Sequence, residues 1–259
     1  IRLSLVGSEM CIRDRESPLR IAGGNSLVSS ISNEDVTRVR LKTAAVLTIL
    51  SQAPAPNSFR PSYCNPDKTI KHNVNDLQWA LLRKHAPVAG IPDLSAVERM
   101  FERPWLDHKT DWPGQRLRPE ENMPGYGREI QQQVGIGGLM LHLNFTQEQK
   151  RMLLVRYVQV GIDLHGVAVN GGKDIWPNNG GHSGGRKWPI LFAGIMLDDA
   201  EMMAIGQKSG DYLYTGEYGP GNPPSDYIHF GEDDQTFYVA QEDVDMSHSE
   251  EWNPDPRAD

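Results

Sequence analysis

Thr146 followed three residues later by Gln149 is a capping box, in which the first side chain accepts from a backbone N–H of the opening turn and the second reaches back to the cap. Behind it Leu153, Tyr157, Val160 and Leu164 recur at i, i+4, i+7 and i+11, one face of an α-helix. A chain carrying that stripe must cover it with a second apolar surface. Residues 187–197, KWPILFAGIML, supply a second helix that is apolar almost throughout. Residues 198–206 extend it or form a short helix of their own.

Other segments point the same way. Residues 39–50, VRLKTAAVLTIL, carry apolar side chains on more than one helical face and stop at Ala53-Pro54-Ala55-Pro56, which predicts a buried helix. Residues 74–85 place Leu77, Trp79, Leu81 and Leu82 in a short helix ended by Pro87. Ser95 with Glu98 marks the start of a third, over residues 95–103. Residues 127–143 form a fourth, with Gly135, Gly137 and Gly138 permitting close packing. Ser26 to Ser32 alternates polar and apolar residues and suits a strand or an extended entry.

The expectation is a mainly α fold of helical hairpins, an incomplete α/α barrel or toroid, over residues 16–209. From residue 210 the composition turns to Tyr, Gly and Pro before the strand-like QTFYVA, so residues 210–259 are expected to be an irregular or β-containing segment. Residues 1–15, IRLSLVGSEMCIRDR, resemble translated adapter read-through from environmental sequencing, and are expected to be a non-native arm on a fragment that lacks its true start.

Composition excludes several classes. With 38% hydrophobic and 23% charged residues the chain can bury a core. A net charge of −8 and no basic run argue against nucleic acid, which demands dense Lys and Arg on one face. That charge does not preclude a small basic pocket. No apolar run reaches the ~20 residues that span a bilayer. Cys11 and Cys64 show no C-x-x-C spacing. His142, His165, His182 and His229 lie 23, 17 and 47 residues apart, with no H-E-x-x-H, so no metal site is expected. No phosphate loop or dinucleotide fingerprint appears, and no cofactor is expected.

Chemistry is concentrated in Asn178-Asn179-Gly180-Gly181-His182-Ser183-Gly184-Gly185-Arg186-Lys187. Four glycines in the six positions from Gly180 to Gly185 let the backbone approach a ligand. The loop brings together amides, imidazole, hydroxyl and guanidinium. It also runs into a helix N-terminus, where free N–H groups and the macrodipole favour an anion such as a carboxylate. The competing reading is a Gly-rich connector whose His and Arg cap neighbouring helices. Residues 104–127, upstream, form a long loop in which Trp105 and Trp112 serve as sugar-stacking platforms or as buried anchors.

Helical hairpins with Asn, His, Arg and Tyr in their loops resemble the α/α-toroid polysaccharide lyases, a resemblance covering residues 39–206. It implies β-elimination from a uronic-acid polymer, with export to the periplasm or beyond. Asn179 and Arg186 would neutralise the substrate carboxylate, His182 would remove the neighbouring proton, and Tyr126 would protonate the leaving oxygen. Trp105, Trp112, Arg128, Asn178, Lys187 and Tyr218 would contact the polysaccharide. Glycoside hydrolysis by two carboxylates is the second reading, with Asp107, Asp163, Asp174, Glu217 and Glu232 available. A non-catalytic glycan-binding module is the third.

Overall fold

A computed structural model describes residues 20–33, 41–107, 118–122, 129–172, 176, 182–205, 228, 230–234 and 245. The chain opens with an antiparallel pair of strands, β1 (Asn25–Ser32) and β2 (Leu41–Ile49), in which Val28 faces Val46 and Ser30 faces Ala44. Among the described residues six α-helices follow: α1 (Leu94–Arg99), α2 (Glu129–Leu141), α3 (Gln147–Val169), α4 (Lys187–Leu197), α5 (Ala200–Met203) and α6 (Gly231–Asp234).

The β-pair corrects the expectation of a helical toroid. The apolar pattern of residues 39–50 predicts a buried helix, yet Leu41–Ile49 is a strand. Thr43, Val46, Thr48 and Ile49 are β-branched, and Ser26 to Ser32 supplies an alternating partner in register, so pairing across the sheet wins over local helical preference. The described helices do not close a ring of hairpins either. Residues 74–85 give two 3-10 turns, Val74–Asp76 and Trp79–Leu81, in place of an α-helix. There the Asn73 side chain accepts from the Asn75 N–H and the chain becomes extended at Leu77. α1 is capped by Asp93, which accepts from the Ala96 N–H, and Ser95 lies inside the helix.

The capping box at Thr146 forms as its spacing predicts, each partner holding the other. α3 is the axis of the fold. It packs most extensively on α4, with α1 and α2 on its other sides. At the closest approach a β-carbon on Gly161 would lie 2.2 Å from the Pro189 carbonyl oxygen, so only glycine lets α3 and α4 pack this tightly. Tyr157 sits at the centre, its hydroxyl donating to the Val134 carbonyl at 2.9 Å and its ring wedged between Phe101 and Phe192. By length and apolarity α3 is the one described helix that meets the requirement for crossing a bilayer, yet two-thirds of its most apolar stretch is buried within this fold, as in a core helix. α4 ends where Asp198 turns left-handed (φ 54°), and Asp199 caps α5. Phe230 is fully buried and stacks on Trp176, so the chain beyond residue 210 contributes to the same core.

Candidate functional site

The Gly-rich loop enters α4 through Gly185, whose φ of 91° and 2.9 Å approach to the Gln131 backbone exclude a side chain. Arg186 follows, 1% exposed. Its Nε donates to Asp107 at 2.9 Å, and its Nη1 donates to the carbonyls of His182 and Gly184. A buried guanidinium is tolerable only when its donors are met, and here Asp107 and the loop's own backbone meet them. A substrate carboxylate reaching Arg186 would have to displace Asp107.

The free N–H groups expected at the start of α4 also have a partner. Glu232 Oε1 accepts from the backbone of Gly185, Arg186 and Lys187 at 2.7, 2.8 and 3.1 Å. An anion does sit at this helix terminus, and it comes from the chain itself. Lys187 pairs with Asp233 and lies over the Phe230 ring. His182 is buried, and so is Ser183. Trp105 is buried as well, stacked on Phe101 with its carbonyl accepting from the Tyr63 hydroxyl, the arrangement of a loop anchor. Tyr126, Asn179, Trp112, Arg128, Asn178 and Tyr218 lie outside the described residues, as do Asp174, Glu217 and His229. The structure thus brings His182, Arg186, Lys187, Asp107 and Glu232 together as a closed, internally paired cluster.

An open site lies elsewhere. A cleft of about 460 Å³ runs between β2, residues 57–60, residues 101–104 and one face of α3. Ala44, Ala45 and Val46 give it an apolar wall. Four guanidinium groups line it, Arg60, Arg103, Arg151 and Arg156, against two carboxylates, Glu102 and Asp163. Among the lining residues this is a formal surplus of two positive charges, in a chain of net −8.

The four arginines are not equally committed. Arg60 forms a two-pronged pair with Asp163. Burial pushes the Asp163 carboxyl above the usual carboxylate range, and Arg60 opposes that shift. Arg103 pairs with Glu121 across a half-exposed surface. Arg156 donates to the Glu98 carbonyl and lies 3.9 Å from Glu102. Arg151, the most exposed, has one long bond of 3.4 Å to Asn57. The Arg60 guanidinium spends three of its five N–H donors on Pro61 and Asp163, which leaves two.

A smaller cavity, about 70 Å³, shares Phe59 and Arg60 with the lining of the cleft. Here His72 Nε2 lies 3.0 Å from Asp199 Oδ2. That bond, with the Met202 N–H, holds the Asp199 carboxyl down at about 2. Among the described residues no group of three or more His, Cys, Asp or Glu is placed to hold a metal ion.

The sequence reading missed both cavities. Arg60, Arg103 and the Arg151/Arg156 pair come from three separate segments, so a search for a basic run passes over them. Arg151 and Arg156 flank the apolar stripe of α3, the only local signal available. Comparison of the chain with family models, curated proteins and solved structures returns no match.

Proposed function

We propose that this chain binds an acidic polysaccharide in the arginine-lined cleft and cleaves it by β-elimination at a uronic-acid residue. The observation that carries the reading is the cleft itself. Its volume falls in the range of ligand sites, and guanidinium groups match carboxylates in shape as well as charge. A polymer bearing one carboxylate per sugar offers repeated partners for arginines spread along a groove. The apolar wall of β2 suits the C–H faces of the same sugars.

The charge pattern also suits a degradative role. β-Elimination requires the substrate carboxylate to be neutralised so that the adjacent C–H becomes acidic, and fixed guanidinium donors in a partly enclosed cleft do this without reorganising. The buried Gly-rich cluster then has a supporting part: Arg186 and Glu232 fix the start of α4, which packs along α3 and holds the floor of the cleft.

The test is incubation with alginate, polygalacturonate, hyaluronan and heparin while following ultraviolet absorbance of the unsaturated product. A rise with one polymer supports the elimination. Reducing ends without absorbance would replace elimination by hydrolysis, and retention on a glycan column without turnover would leave a binding module. Absence of both binding and turnover with all four sinks the reading.

A further inference from the structure

We propose that the His72–Asp199 pair is the proton-accepting centre for the chain held in the arginine cleft. The proposal rests on the acidic-polysaccharide reading above.

The geometry begins with the imidazole. Nε2 faces the Asp199 carboxylate at 3.0 Å and donates to it, so in the neutral imidazole the lone pair is on Nδ1. Asp199 is itself held, accepting from the Met202 N–H at 3.0 Å, and stays ionised across the neutral range. An anionic partner fixed in this way sets the ring's orientation and stabilises the imidazolium that forms when Nδ1 takes a proton. The backbone of His72 is pinned too, its carbonyl accepting from the Phe59 N–H at 2.9 Å.

Position is the second argument. His72 lines the small cavity, and Arg60 lines both that cavity and the cleft. In this proposal a uronate carboxylate docks on the two remaining N–H donors of Arg60, with its α-carbon turned toward His72. The small cavity, about 70 Å³, is too small for a sugar ring and large enough for one substituent or a few waters. In the reaction, Nδ1 takes the proton from the carbon next to the carboxylate. That electron pair forms the new C=C bond as the bond from the β-carbon to the glycosidic oxygen breaks. The leaving oxygen then takes that proton from the imidazolium, directly or relayed through a water, which restores the ring.

The same cavity is lined by Arg60, by Asp67 and Lys71 from the His72 loop, by Glu201 of α5, and by His165 of α3, which acts electrostatically on Asp199.

The deciding variant is His72→Gln, because a glutamine amide still donates to Asp199 but cannot take up a proton at neutral pH. Turnover of the best polymer should fall by at least ~10²-fold, with the Kd of an oligouronide unchanged within about two-fold and the melting temperature preserved. His72→Ala should show the same loss and regain part of the rate with added imidazole, a response a purely structural role would not give. Full turnover in His72→Gln overturns the proposal and leaves the cleft reading intact. Wild-type protein that binds but turns over no polymer also overturns it. Wild-type protein that neither binds nor cleaves removes the functional reading first and this role with it.

Discussion

Arg186 and Arg151 are the same residue type in opposite circumstances. Arg186 is sealed in the Gly-rich loop, with Asp107 and two carbonyls around it, while Arg151 stands at the rim of the cleft with one long bond to Asn57. The first has spent its hydrogen-bonding capacity on the fold, and the second keeps most of it. Residue identity and local glycine content point to the loop as the site, yet burial and prior pairing decide which guanidinium can meet a ligand. The same contrast holds for anions. Glu232 fills the α4 terminus from within, whereas the cleft carries two carboxylates for four guanidinium groups.

The largest test of this contrast is Arg186→Ala. It leaves Asp107 buried without its partner, and breaking a buried pair costs about 3–5 kcal/mol. Chemical denaturation should show that loss, while Arg151→Ala stays within about 0.5 kcal/mol of wild type. Equal effects would mean the loop is not the closed cluster described.

Next is Glu232→Gln. The amide oxygen can still accept, but the negative charge at the α4 terminus is gone, and a loss of roughly 0.3–1 kcal/mol follows at low salt. The difference should shrink as salt is raised. A variant as stable as wild type at low salt would show that the carboxylate contributes no charge interaction there.

A further, pH-dependent effect concerns Asp199. Its folded-state value, about 2, lies below the ordinary carboxylate value, so its contribution is complete above about pH 5 and is lost as pH falls toward 2. Asp199→Asn should flatten that part of the acid-unfolding curve and leave the alkaline side unchanged. An unaltered acid limb would show that His72 and the Met202 N–H do not hold the carboxylate.

Much of the helical body was legible because its signals are local. The capping box at Thr146, the stripe from Leu153 to Leu164 and the apolar run Lys187–Leu197 each lie within one element. The β-pair was legible only in half. Ser26 to Ser32 alternates plainly, but Leu41–Ile49 is rich enough in apolar residues to read as a helix until its partner is known. Sites made from distant segments leave no such trace. Nothing near Arg186 announces Asp107, which lies 79 residues away, and nothing near His72 announces Asp199. Trp105 shows the limit from the other side, since an aromatic in a long loop suits stacking or anchoring equally until its burial is seen.

The most direct measurement is the affinity of one polyuronate oligomer for wild type and for the Arg151→Ala/Arg156→Ala double variant, titrated side by side with melting temperatures recorded. The account predicts wild-type binding that weakens with salt, at least a ten-fold weaker Kd in the double variant, and melting temperatures within about 2 °C of each other. Binding by the double variant at wild-type strength, or no binding by wild type, would contradict it.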